Sequence, residues 1–161
     1  MEAITRIATV EVVRSQRARW QSAHLAQEWR TKFPDLFDDD DLRLANSQPD
    51  FHFYEWLGAI VLYHTTGYLS LVEKYEFATH PRKQEIVAQL LPGPVRDALR
   101  DRSQASAQGP DLLMYADDLS DWFFCEVLGP RNRLRDEQIR KFGLLAEMAS
   151  KPVRLLEFSL D

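Results

Sequence analysis

The sequence predicts an α/β protein, a central sheet with helices on its faces, in the order helix, three strands, helix, strand from residue 51 onward. Three observations carry this. A run apolar on nearly every face extends from Phe51 to Thr66 and stops at Gly67. Two strand-like segments, 111–115 and 122–127, flank a short acidic turn. Residues 135–149 then place Ile139, Phe142, Leu145, Ala146 and Ala149 at helical spacing, ahead of a last apolar strand at 153–158.

Taken in order, residues 1–33 mix apolar and polar side chains at helical spacing and predict one or two helices, so residues 1–50 read as an N-terminal helical extension. Asp38, Asp39, Asp40 and Asp41 are adjacent like charges and predict a loop; they lack the spaced ligands and glycine of a calcium-binding loop. Asp50 suits the N-cap of the apolar helix, and Gly67 its C-terminal stop. Tyr68 to Phe77 predicts a strand, with Leu69, Leu71, Tyr75 and Phe77 on one parity. Residues 79–109 form a polar helical insertion, broken at Pro92-Gly93-Pro94 and ending in the flexible tract 103–109. A single main domain over 51–161 results.

The chain has 161 residues, 45% hydrophobic and 28% charged, enough to bury about 70% of its surface in one core without cross-links. No stretch approaches the roughly 20 apolar residues of a membrane span, and the first residues lack a basic segment followed by an apolar run, which predicts a cytoplasmic protein without membrane attachment. Cys125 is the single cysteine, which excludes an internal disulfide and a cysteine zinc cluster. The net charge of −5 excludes a generally basic nucleic-acid binder, so an anionic partner must be met locally. Arg131, Arg133, Arg135, Arg140 and Lys141 form such a patch; Arg6, Arg14, Arg17 and Arg19 form another; solvated surface arginines are the bland alternative.

The hairpin carries the chemistry. If Tyr115 pairs with Trp122, the antiparallel register puts Asp111 opposite Glu126, with Cβ atoms roughly 5 Å apart. Two carboxylates so placed destabilise a sheet unless something positive lies between them. Glu55 is the one acid in the otherwise apolar helix, and a lone buried carboxylate is costly without a partner. A divalent cation satisfies all three, and carboxylate oxygens select a hard ion, Mg²⁺ or Mn²⁺, whose bound water attacks a phosphodiester. The plain structural alternative pairs Glu55 with an arginine and makes Asp111 and Glu126 capping or edge residues. His52 lies one turn before Glu55 and reads as a surface or capping group, while His64 and His80 show no metal-ligand spacing. Trp20, Trp29, Trp56 and Trp122 read as core or interface aromatics rather than base-stacking platforms.

Gly109-Pro110-Asp111-Leu112-Leu113, then Phe124-Cys125-Glu126-Val127-Leu128-Gly129-Pro130, then Arg133-Leu134 and Gln138, resemble the virus-type replication-repair nuclease (VRR-NUC) domain. That family belongs to the PD-(D/E)xK superfamily, which also supplies the nuclease domain of Fanconi-associated nuclease. The resemblance covers roughly residues 51–158. It implies a restriction-endonuclease-like core and a metal-dependent, structure-selective endonuclease acting on branched DNA, a Holliday junction or a flap, as a homodimer. It further implies that Asp111, Glu126 and Glu55 bind Mg²⁺ or Mn²⁺, that the peptide carbonyl of Val127 adds a ligand, and that Gln138 lies beside the site. The arginines near 131–140, with Lys141, would contact DNA phosphates.

Leu128 departs from the pattern, standing where the family carries lysine. Strand alternation puts it on the face of Glu126, where a lysine orients the attacking water and stabilises charge on the phosphate. An engineered substitution, a natural inactive relative, or a lysine supplied from elsewhere each accounts for it. Lys74 is the relocation candidate, although its parity opposes Leu69 and Leu71 and fits a surface lysine better. The favoured reading is an otherwise active nuclease impaired at Leu128. Its competitor is a non-catalytic module that binds branched DNA or a repair partner with the same fold.

Overall fold

The computed structural model describes residues 2–22, 24–72, 74–101 and 108–160. Five strands form one mixed sheet: β1 (Ile4–Val12), β2 (Leu69–Leu71), β3 (Leu112–Tyr115), β4 (Trp122–Leu128) and β5 (Val153–Leu160), in the order β1-β5-β4-β3-β2. β2 and β4 each pair antiparallel with β3, while β5 runs parallel to both β4 and β1. Helices flank the sheet: α1 (Arg14–Gln21), α2 (Leu25–Lys32), α3 (Asp39–Ser47), α4 (Phe53–Thr66), α5 (Pro81–Leu90), α6 (Gly93–Arg100) and α7 (Asp136–Ala149). The α/β class, the insertion helices α5 and α6 with their break at Pro92, and the crossover through α7 agree with the sequence reading.

Two cores follow from the period-2 alternation of β3 and β4. Leu112, Met114, Phe123, Cys125 and Val127 face α4 and an aromatic cluster in which Phe37 stacks on Trp56 at 3.9 Å and Trp20 meets Trp56 edge-on at 5.2 Å. Leu113, Tyr115 and Phe124 face Val95 and Leu99 of α6 and Phe142 and Leu145 of α7. α4 lies close on β4 because residue 58 is glycine: a Cβ there would come within 2.9 Å of a Val127 methyl. That approach carries the first turn of α4, with Glu55, to the end of the sheet where β4 terminates.

Several expectations are corrected. The N-terminal extension is not helical throughout: it opens with β1, an edge strand paired in parallel with β5 and bulged between Arg6 and Ala8. Most of β1 is exposed, so it lacks the one-sided alternation that marks a strand, and only its β-branched content gives it away. The aspartate run does not form a loop. Asp38 caps α3, accepting the Asp41 N–H at 3.0 Å while Asp41 accepts the Asp38 N–H at 2.9 Å. The remaining repulsion is offset by Lys83 of α5, buried against Asp41, and by Arg82, 3.0 Å from Asp38. α4 starts at Phe53 with His52, not Asp50, at the N-cap in a left-handed conformation (φ 73°). Gly67 ends it as expected, with φ 76°. The strand predicted over 68–77 stops at Leu71, and a 3₁₀ turn occupies Tyr75–Phe77. Of the flexible tract predicted at 103–109, residues 103–107 lie outside the described residues.

Candidate active site

The expected hairpin register is present: Tyr115 pairs with Trp122 and Leu112 with Cys125, which places Asp111 across from Glu126. Backbone groups fix both acids. The Asp111 N–H donates to Glu126 Oε1 at 3.0 Å, and the Val127 N–H donates to Asp111 Oδ2 at 2.9 Å. These bonds hold the two carboxyl groups close together at the end of the hairpin, where like charges repel. Burial, then the charges of Glu126 and Glu55, push the Asp111 carboxyl well above the usual carboxylate range. Burial likewise pushes Glu126 up to about 7, against the lowering effect of its hydrogen bonds with Asp111. Both carboxyls therefore bind protons more readily than free carboxyls do.

Glu55 reaches the same place from the first turn of α4. It lines a small cavity of about 90 Å³ together with His52, Lys74, Glu76 and Asp111. Its Oε2 is buried without a hydrogen-bond partner among the described residues and lies 3.4 Å from His52 Nδ1. Carboxylates that repel one another and an orphaned buried oxygen form a hard, anionic donor set, and a divalent cation fits it. Glu55, Asp111 and Glu126 are the side chains that would hold one.

Gln138, in the first turn of α7, donates from Nε2 to Glu126 Oε2 at 2.9 Å and accepts the Arg135 N–H on Oε1 at 2.9 Å. It thus aims Glu126 while its own amide is held by the helix start. Gln138→Ala is expected to weaken Mn²⁺ binding by about 10- to 100-fold, the usual cost of removing a group that orients a metal ligand. Titration calorimetry checks this, and unchanged affinity would show that Glu126 needs no such support.

Glu76 escaped the sequence reading. It is buried in the 3₁₀ turn and lines the acidic cavity. The assumed strand parity hid it, because the chain leaves the sheet after Leu71. Lys74 has a left-handed backbone (φ 53°) and an exposed side chain on the rim of the same cavity. Leu128 is buried at the end of β4. Arg131, Arg133, Arg135 and Arg140 are exposed between β4 and α7, and the positive charge of Arg135 reaches Glu126. Lys141 does not belong with them: it is buried, and its Nζ donates to the carbonyls of Leu99 at 2.9 Å and Asp101 at 3.0 Å, capping α6. Its place beside Phe142 and Leu145 on the apolar stripe was the available signal.

A second group within ligand reach comprises Asp38, Asp40 and His80. Its polar atoms are already engaged. Asp38 is held by Arg82 and the α3 cap, Asp40 lies 2.9 Å from Arg43, and His80 Nδ1 accepts the Arg82 N–H at 3.1 Å. These contacts join α3 to α5.

No protein-family model matches the chain, and no curated protein does. Among solved structures it is similar to the crystal structure of paFAN1 bound to 2nt 5′flap DNA with gap, at 18% identity and a TM-score of 0.43, over 90% of this chain and 31% of that one. The chain therefore spans less than a third of that protein's length. The class that the architecture itself defines is an α/β protein with a mixed five-stranded sheet flanked by helices.

Proposed function

We propose that the protein is a divalent-metal-dependent endonuclease that hydrolyses phosphodiester bonds in DNA. The observation that carries this reading is the gathering of Glu55, Asp111 and Glu126 at one end of the sheet, with Glu55 Oε2 lacking a hydrogen-bond partner among the described residues. Supporting it, Glu55 stands in the first turn of α4 and Gln138, in the first turn of α7, binds Glu126, so two helix N-termini, which favour an anion such as phosphate, meet the acids; the charge of Arg135 reaches Glu126, and Arg131, Arg133 and Arg140 are exposed nearby in the chain. Glu55, Asp111 and Glu126, with the Val127 carbonyl, would hold the cation, which would supply an acidified water and neutralise phosphate charge.

The chain's own residues do the rest. Asp111 and Glu126 would ligate the cation, Gln138 holds Glu126 in place through its hydrogen bond, and the arginines would position the DNA backbone. Leu128 offers no charge at the end of β4, and exposed Lys74 is a less fixed substitute, so turnover is slow. Branched DNA as substrate and a homodimer as the acting form complete the proposal, and exposed Leu144 and Met148, one turn apart on α7, give a dimer an apolar contact.

The test is calorimetric titration with Mn²⁺ followed by cleavage of end-labelled flap, four-way junction and linear DNA. We expect Mn²⁺ to bind with release of a proton, more weakly at pH 6 than at pH 8, because the cation competes with the proton held near pH 7. Cleavage that stops on chelation and favours branched DNA is expected. Absence of Mn²⁺ binding would overturn the proposal, and metal binding with tight DNA binding but no cleavage would favour the non-catalytic module.

A further inference from the structure

A second cavity, of about 310 Å³, adjoins the acidic one and shares His52 and Glu55 with it. Its other lining groups include Arg17, Phe51, Tyr54 and Asn132. Phe51, Arg17 and Asn132 each have an unused binding capacity. Phe51 is 66% exposed, yet its main chain is pinned: its carbonyl accepts the Trp20 indole N–H at 2.9 Å, and its N–H donates to the Gln48 carbonyl at 3.0 Å. An aromatic ring is thus held out to solvent on a rigid mount.

The Arg17 guanidinium lies over the rings of Phe53 and Tyr54, at 5.6 and 5.2 Å, and one of its N–H groups donates to the Asp50 carbonyl at 3.2 Å. No carboxylate among the described residues pairs with it, so its charge is available to an anion. Asn132 is held by a turn in which its N–H donates to the Gly129 carbonyl at 3.1 Å, with Arg131 in a left-handed conformation. Its side-chain amide has no hydrogen-bond partner among the described residues. Gly129 forms the floor, where a Cβ would come within 3.0 Å of the Tyr54 ring.

An aromatic face, a hydrogen-bonding amide and an unpaired guanidinium in one cavity next to a metal-binding carboxylate match the base, edge and phosphate of a nucleotide. We infer that this cavity holds one unpaired nucleotide of the DNA adjacent to the phosphate that is cut, its base stacked on Phe51, its phosphate on Arg17 and its base edge or sugar on Asn132. The inference rests on the proposed nuclease function and narrows its substrate. At about 310 Å³ the cavity is at the lower end of the roughly 300–1,000 Å³ range of small-molecule sites, with room for one nucleotide and not for a base pair. A base seated there must leave the duplex stack, which costs least where it is already unpaired. Stacking on an aromatic ring is available to every base, so the selection is for structure rather than sequence.

The experiment uses a single-stranded oligonucleotide carrying one 2-aminopurine, whose fluorescence falls on stacking, and a blunt duplex of the same length, both in EDTA so that neither metal binding nor cleavage is needed. Wild type is expected to quench the probe and to bind the single strand. Phe51→Ala, a change at an exposed side chain outside both cores, is expected to abolish the quenching and weaken single-strand binding about ten-fold or more while leaving duplex binding unchanged. Arg133→Ala is expected to weaken both. Equal loss for single strand and duplex in Phe51→Ala, or no change for either, would overturn the inference. Failure of the nuclease reading shows separately, as absence of Mn²⁺ binding with these EDTA results intact.

Discussion

Asp111→Asn is expected to stabilise the metal-free protein at pH 8 and to abolish Mn²⁺ binding and DNA cleavage at the same time. Glu126 is buried and Asp111 half-buried beside it, and both have folded-state affinities for protons raised above those of the unfolded chain. A carboxyl so shifted contributes stability while it is protonated and loses that contribution as pH rises. The loss therefore begins near pH 4.5 and is complete for Glu126 above about 7, the value to which burial pushes it. At pH 8 the metal-free protein carries the cost of an ionised, buried Glu126 beside Asp111.

Asparagine reproduces the protonated acid in shape. Its oxygen still accepts the Val127 N–H, and its neutral amide neither repels Glu126 nor carries a charge to desolvate. The gain is on the order of 2–3 kcal/mol, or roughly 4–12 °C in melting temperature for a chain of this size. Thermal scans at pH 5 and pH 8, with and without Mn²⁺, read it directly. The advantage of the variant should shrink at pH 5, and Mn²⁺ should raise the melting temperature of wild type alone. A variant that melts lower than wild type at pH 8 would mean that the acids are not in conflict, and retained Mn²⁺ binding would remove Asp111 from the ligand set.

Leu128→Lys is expected to raise the rate of DNA cleavage by about 10²- to 10³-fold, the usual worth of a fixed charge stabiliser at a developing anion. The position is one strand repeat beyond Glu126 on the same face of β4, at the end of the strand, so a lysine there would project from a rigid element on the side of Glu126. Exposed Lys74, on the rim, has no such mount. Single-turnover cleavage of a labelled flap by the two proteins separates the chemical step from binding. If the rates are equal, the site already has its cation, and loss of activity in Lys74→Ala would identify it.

Much of the site was legible because it is local. A short turn sets the register of β3 against β4, and that register alone places Asp111 across from Glu126. α7 follows β4 directly, so the position of Gln138 follows from helix start and spacing. What the sequence hid depends on partners distant in the chain. Lys83 turns four repelling aspartates into a helix start by packing from α5, and the carbonyls of α6 bury Lys141. Neither partner leaves a periodic signature. Glu76 was missed for a different reason: departure from the sheet after Leu71 reversed the assumed parity, and nothing between Val72 and Lys74 announces the change except a residue in a left-handed conformation.

The parallel pairing of β1 with β5 also constrains how the protein is made. Ile4 meets Val153 in the sheet. At synthesis rates of about 5–20 residues per second, β1 waits roughly 7–30 s for its partner to emerge, its hydrogen-bonding edges open all the while. The hairpin and α7 are complete sooner, so the middle of the sheet is available as a template before its outer strand docks. An early ribosome-bound intermediate would then already contain the three acids but not the full sheet. Arg6 and Glu11 interrupt the apolar residues of β1, so the waiting strand carries charges that discourage pairing with a neighbouring nascent chain.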